Sequence, residues 1–109
     1  MSTSLPLICQ PRRNLQRPDV KEAVAVAALV ADRTRASIVR MLRDGPHCVC
    51  EIAATLGERE NNVSNHLAML RDAGLVRASR HTSDARFQYY ERNEAACAVA
   101  LARLQGLLG

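Results

Sequence analysis

The sequence predicts a mainly α domain with one small β-hairpin, arranged as a winged helix–turn–helix and used as a homodimer. Three observations predict it. Two helical segments, Cys48–Leu56 and about Glu60–Asp72, are separated by a tight turn at Gly57. The second is followed by two runs with strand propensity, Leu75–Arg80 and Arg86–Glu91, around the polar loop His81–Ala85. Helices rich in Ala, Val and Leu flank this centre on both sides, wider in their apolar surface than a single stripe. The expected organisation is an N-terminal arm over residues 1–18 and one domain over residues 19–109.

Composition bounds the rest. A chain of 109 residues suffices for one compact domain and not for two. An apolar content of 48% excludes a mainly disordered chain. With one Phe and two Tyr, the core must be built from Ala, Val, Leu and Ile. So short a domain buries a modest fraction of its surface, and a second copy would add to it. The formal charge of +4 fits phosphate binding, although charge alone reads equally as a basic, solvated surface. The longest apolar run near the start, Leu5–Cys9, is interrupted by Pro6, and no run approaches a membrane span. The expectation is a cytoplasmic protein with four reduced thiols, serving metal or redox chemistry or simply buried.

Taken in order, the arm carries Pro6, Pro11, Pro18, the pair Arg12–Arg13 and one thiol, Cys9. Asp19 caps a helix to Ala31, in which Val20, Ala23, Val24, Ala27, Val30 and Ala31 recur at helical spacing. Asp32 or Thr34 caps the next, through about Asp44, with Ile38, Val39, Met41 and Leu42 inward and Arg35, Arg40 and Arg43 outward. Gly45–Pro46 stops it, since Gly accepts a left-handed residue and Pro cannot continue a helix. Ile52, Ala53 and Leu56 form the inner face of the third helix, and Val63, Leu67 and Leu70 that of the fourth, at i, i+4, i+7. The last helix, Asn93–Leu108, is interrupted mainly by Arg103 and Gln105.

The fourth helix has the composition of a DNA reader. Short polar side chains near an exposed helix start can reach base edges in a major groove, and Asn can contact adenine through both its amide atoms. Asn61, Asn62, Ser64 and Asn65 are such groups, and His66 and Arg71 complete the candidate set on this helix. A packing role is the alternative for His66. Arg77, Arg80 and Arg86 flank the hairpin, where arginines pair with phosphate or enter a minor groove. Each residue alone could merely solubilise its element. The order of elements favours double-stranded DNA as the partner.

Four stretches carry a family resemblance. They are Asp32–Arg33–Thr34–Arg35, Cys48–Val49–Cys50–Glu51–Ile52–Ala53, Asn62–Val63–Ser64–Asn65–His66–Leu67 and Leu70–Arg71–Asp72–Ala73–Gly74–Leu75–Val76. In order and spacing they resemble the ArsR/SmtB family of bacterial metal-sensing repressors, over roughly Val20–Leu108. The resemblance implies a homodimer packed through its first and last helices. It also implies a partly palindromic operator, released when a metal or metalloid ion binds. One departure is Arg59–Glu60, where the family often has Ser–Gln.

Cys48 and Cys50 are the candidate sensor. On a regular helix two residues apart means side chains about 200° apart, so one ion could hold both only if the first turn loosened. That loosening is the expected route from ion to DNA release. A helix N-terminus would favour the thiolate form. Cys–Val–Cys here resembles the thiolate site of the arsenic-, cadmium- and lead-sensing branches. The further Cys of several arsenic repressors, three residues past the pair, is replaced by Ala53. Cys9 is therefore the expected third ligand, since cadmium- and lead-sensing relatives bring thiols from an N-terminal arm. Three sulfurs suit As(III), Sb(III) or Pb(II). Cd(II) or Zn(II) would want a fourth ligand, water or His47, and Zn(II) ranks last. His47 reads first as an exposed loop residue. Cys97 reads as a core or interface residue, and the family's zinc site on the last helix is expected to be absent, because no His follows His81. The rival reading is a redox or persulfide switch joining Cys48 or Cys50 to Cys9 or Cys97. No enzyme is expected: His47, His66 and His81 are scattered, without a nucleophile–base pairing.

Overall fold

A computed structural model describes residues 18–79 and 86–109. The expected arm with Cys9, and Arg80 with the hairpin loop, lie outside the described residues.

Helix α1 (Pro18–Val30) begins on the proline expected to end the arm. Pro suits a first helical position, where its missing N–H would have had no partner. Asp19 therefore stands inside the first turn, one residue past the helix start. Helix α2 (Arg33–Leu42) is capped by Asp32, whose side chain accepts the Arg35 N–H at 3.0 Å. Thr34, the other candidate cap, donates to Glu58 instead. Helix α2 ends two residues before the expected Asp44, and Gly45 follows with φ 134°.

A two-residue strand β1 (His47–Cys48) comes next, and nothing in the sequence marked it. Helix α3 (Val49–Leu56) closes on Gly57, which takes the left-handed conformation (φ 67°) that only Gly adopts without strain. Helix α4 (Glu60–Asp72) matches its expected span. Strands β2 (Val76–Ala78) and β3 (Tyr89–Arg92) are shorter than expected and are followed by α5 (Glu94–Leu108), capped by Asn93. The hairpin is thus part of a three-stranded antiparallel sheet, ordered β1–β3–β2. Its register pairs His47 with Tyr90 and Cys48 with Tyr89 on one side, and Arg77 with Glu91 on the other.

The core lies between α2, α3 and α4. Ile38, Leu42, Ile52, Val63, Leu67 and Leu70 are fully enclosed, and Val76 and Ala100 join them from the sheet and α5. Burying each large aliphatic side chain stabilises the fold by about 1.5–3 kcal/mol. Because α3 and α4 share this core, the start of α3 and the outer face of α4 are held in one rigid frame. Helices α1 and α5 pack on each other at one end, joined also by Glu22 and Arg103 at 3.3 Å. Their outer faces leave Val24, Val99, Leu101 and Leu108 at 49–83% exposure. No helix among the described residues is long and apolar enough to cross a membrane.

Candidate metal centre and nucleic-acid interface

The two thiols meet. Cys48 is not the first residue of a helix but its N-cap, with extended backbone (φ −83°, ψ 160°). The 200° separation expected for a helical C-x-C therefore does not arise. Cys50 lies in the first turn, the Cα atoms are 5.3 Å apart, and the two sulfurs are joined as a disulfide. The helix start need not give way for the pair to converge, which removes the expected loosening step.

The cap itself uses the sulfur. Cys48 Sγ accepts the Glu51 N–H at 3.3 Å, while the Cys48 N–H donates to Glu51 Oε1 at 2.8 Å. This is a capping box with Cys in the place usually taken by Ser or Thr. Glu51 was not among the expected site residues, although the spacing Cys48-x-x-Glu51 carries that signature. The cap is pinned from outside as well. Cys48 pairs with Tyr89 in the sheet, and the Val49 N–H donates to the Gln88 carbonyl at 3.1 Å. The backbone that carries the thiol pair is thus tied to the chain leading into β3. Nearby, His47 belongs to β1 and not to a loop, and its Nδ1 donates to the Gly45 carbonyl at 2.8 Å.

Beside the pair is a hollow of about 240 Å³, lined by Cys48, Val49 and Cys50, by Glu60 and Ser64 of α4, and by Arg86, Phe87 and Gln88. The Arg86 guanidinium stands 5.6 Å from the centre of the Phe87 ring. Phe87 and Gln88 had no functional expectation attached to them. Among the described residues no three His, Cys, Asp or Glu side chains are grouped to hold an ion. Cys48 and Cys50 converge, and any third protein donor must come from elsewhere.

On α4 each residue advances by about 100°. Val63, Leu67 and Leu70 therefore fall on one side and are buried there. Asn61 and Asn65 fall opposite, Ser64 and Arg71 fall on the flank that carries Glu60, and all four are exposed. The two flanks differ. Glu60 faces the thiol hollow, and Ser64 is shared between the hollow and the exposed stripe. On the other flank Asn62 donates to Glu58 Oε1 at 2.7 Å, and His66 Nδ1 stands 3.2 Å from the Arg35 guanidinium. Arg35 also donates to the Leu29 carbonyl at 2.6 Å. It thereby ties α4 to the end of α1, a positioning role the sequence did not suggest. Asn62 and His66 thus have partners inside the molecule. Arg77 pairs with Glu91 at 2.9 Å across the strands, with its own side chain 58% exposed. Arg71 stands 3.6 Å from Asp72 at the surface.

Cys97 is a free thiol packed against the core, with Sγ 3.7 Å from the Leu75 carbonyl. Burial pushes its pKa above the ordinary 9.0, so it is held as the neutral thiol. That agrees with a packing role. The disulfide joins Cys48 to Cys50, and not to Cys97 as the redox reading allowed.

The chain is similar to known proteins. The family of bacterial regulatory proteins named for arsR matches residues 32–78. The arsenical resistance operon repressor of Escherichia coli (strain K12) is 41% identical over 49 residues, covering 44% of this chain and 42% of that protein. The putative arsenical resistance operon repressor ArsR2 of Halobacterium salinarum is 31% identical over 88 residues, 79% of this chain and 71% of its own length. A crystal structure of a possible transcriptional regulator for arsenical resistance superposes with a TM-score of 0.62 at 31% identity, over 76% of this chain and 79% of that one. The aligned part is less than half of the Escherichia coli repressor but more than two thirds of the other two. With its sheet-bound helix–turn–helix and with likeness extending over most of two relatives, the chain belongs to the arsR family of bacterial regulatory proteins.

Proposed function

We propose that the chain is a DNA-binding transcriptional repressor that leaves its operator when a thiophilic ion binds Cys48 and Cys50. The ions that fit the donors are As(III) or Sb(III), Cd(II) and Pb(II), with Cys9 as the third thiolate and Zn(II) behind the others. One observation carries the reading: Cys48 caps α3, the Val49 N–H between the two thiols donates to the Gln88 carbonyl beside the wing, and both thiols line a hollow shared with the reading helix. An ion held there touches both elements that would meet DNA. The relatives' names, which concern arsenical resistance, support the metalloid.

The DNA contacts follow from exposure. Asn61, Ser64, Asn65 and Arg71 offer themselves to a major groove, and Arg77 and Arg86, with Arg80, to the backbone. Asn62 and His66 act by holding α4 in place through Glu58 and Arg35. The exposed apolar faces of α1 and α5 support a homodimer through these helices, which would set two α4 helices against two half-sites. The protein works in the reducing cytoplasm, as a regulator and not as an enzyme.

The test is fluorescence anisotropy on a duplex from the promoter of its own gene, with reduced protein, across a salt series. Binding should weaken steeply with salt. Arsenite, Cd(II) or Pb(II) should release the parent protein, while Cys48→Ser and Cys50→Ser bind DNA and are not released. If both variants respond like the parent, the sensor site is wrong.

The disulfide favours one second reading, a redox switch within the same pair. A peroxide or a persulfide would take two electrons, and the two thiols would lose two protons as the S–S bond forms. Release of DNA by peroxide, reversed by dithiothreitol and insensitive to every ion tested, would favour it.

A further inference from the structure

The outer face of α2 carries charge that the fold does not use. Arg33, Arg40 and Arg43 are all exposed. At about 100° per residue they fall within an arc of about 80°, on the side away from the buried Ile38 and Leu42. From Arg33 to Arg43 the helix rises about 15 Å. Among the described residues no carboxylate or carbonyl holds these three guanidinium groups. Arg35, Arg77, Arg92 and Arg103, by contrast, each have such a partner. Helix stability does not account for the stripe. Arg40, in the last turn, suits the negative end of the helix dipole, but Arg33 is the first residue, at the positive end, where a cation is disfavoured.

We propose that the outer face of α2 holds the phosphate backbone of DNA flanking the operator. The proposal rests on the reading of the chain as a DNA-binding repressor and adds a second surface to it. Helices α2 and α4 share one core, and each turns its outer face away from that core. The arginine stripe and the exposed side of α4 therefore face different sides of the molecule. The stripe meets phosphates beyond the base pairs that α4 reads. Along B-DNA the phosphates of one strand advance by about 3.4 Å each, so a stripe of about 15 Å spans about four of them. A guanidinium pairs with phosphate through two parallel N–H···O bonds. Such contacts carry no sequence information, and they add affinity and salt dependence. An acidic protein segment would match the charge as well. DNA is favoured because, once the operator is bound, its flanking phosphates are held beside the protein at high effective concentration.

The test uses the reduced full-length chain and two duplexes from the promoter of its own gene. One ends at the operator, and the other continues on one side by about one helical turn, 10 base pairs. Affinity is read by fluorescence anisotropy across a salt series. Each phosphate contact adds about 0.9 to the steepness of log affinity against log salt, so three add about 2.7. The parent should show that steeper slope, and tighter binding at low salt, on the extended duplex. A variant with Arg33→Gln, Arg40→Gln and Arg43→Gln together should keep the parent's slope on the short duplex and lose the difference between the two. The same three positions changed to Lys should retain the difference, because the charge remains. Equal slopes for the parent on both duplexes overturn the proposal, and so does a Gln variant weakened equally on both. Poly-L-glutamate is the probe for the other occupant. If the parent binds it, the Gln variant does not, and the two duplexes are bound alike, the face belongs to an acidic protein and the proposal is overturned. Binding of the two duplexes with one slope spares the DNA-binding reading, whereas failure to bind either duplex overturns that reading and the proposal with it.

Discussion

Replacing Cys48 by Ser and by Ala should have different consequences for folding, although both remove the thiol. Cys48 is the N-cap of α3, and its sulfur accepts the Glu51 N–H at 3.3 Å. Its backbone is already in the extended conformation that an N-cap requires. Ser offers a better acceptor at the same position and completes an ordinary capping box with Glu51. Ala removes the acceptor and leaves that N–H without its partner. Loss of a cap costs about 1 kcal/mol, within a range of about 0.5–2. In a domain of this size about 1 kcal/mol moves Tm by roughly 4–8 °C. The assay is thermal unfolding of reduced protein followed at 222 nm, at one fixed protein concentration because dimerisation would shift Tm. Cys48→Ala should melt about 4–8 °C below the parent and Cys48→Ser close to it. If Ser is as destabilising as Ala, or if Ala is neutral, the sulfur is not acting as the cap. The outcome also matters for function, since only a variant that keeps the helix start intact can separate lost sensing from lost folding.

Other consequences follow from single positions. Arg59 caps α4 with extended backbone but no side-chain hydrogen bond, so Arg59→Ser should stabilise the fold by about 0.5–2 kcal/mol, and an unchanged urea midpoint would refute this. Leu67 is fully buried between helices, and Leu67→Ala should cost about 2–5 kcal/mol in urea unfolding; a loss under about 1 would mean that the site collapses around the gap. The Arg35 N–H, more than the nearby Arg35 and His66 charges, holds the Asp32 pKa below its ordinary 3.8 against some desolvation. A depressed carboxylate stabilises the fold above pH 3.8 and loses that contribution as pH falls through its lower folded value. Asp32→Asn, which still caps, should therefore flatten the dependence of Tm on pH below 3.8, and an unaltered slope would count against the cap.

How much of this was legible in the sequence depends on how local each cause is. Helix α4 was legible because its signals lie within it or beside it: Gly57 before, Val63, Leu67 and Leu70 at helical spacing, Gly74 after. Strand β1 was not, because two residues become a strand only through pairing with Tyr89 and Tyr90 far along the chain. That single omission misplaced Cys48. Placed on a helix, it faces away from Cys50; placed in a strand and used as a cap, it meets Cys50. The polar set on α4 divides in the same way. That Asn61, Ser64, Asn65 and Arg71 lie off the buried face follows from helical spacing alone, and all four are exposed. The partners of Asn62 and His66, by contrast, are Glu58 and Arg35, and for Arg35 no local rule links α2 to α4. The capping box was within reach, since Cys48-x-x-Glu51 has its spacing, but Cys is an uncommon residue in that role.

A coupling between ion and DNA needs no large motion if the sensor sulfur is itself a structural acceptor. On the proposed reading, an ion drawing on Cys48 Sγ competes with the Glu51 N–H, an interaction worth about 1 kcal/mol as a cap. Shifting the cap residue also strains the Val49 N–H bond to the Gln88 carbonyl, worth about 0.5–1.5 kcal/mol net. Together these reach about 1.5–2.5 kcal/mol, within the roughly 1–3 kcal/mol typical of allosteric coupling, or about 5–150-fold in affinity. The prediction is local. On arsenite binding the Glu51 and Val49 amides should lose hydrogen-exchange protection, while core amides such as that of Leu70 on α4 keep theirs. Loss spread evenly over α3 and α4 would indicate unfolding of the motif instead. Unchanged protection at both Val49 and Glu51 would break the link from thiol to wing, since these two bonds are the connections on which it depends.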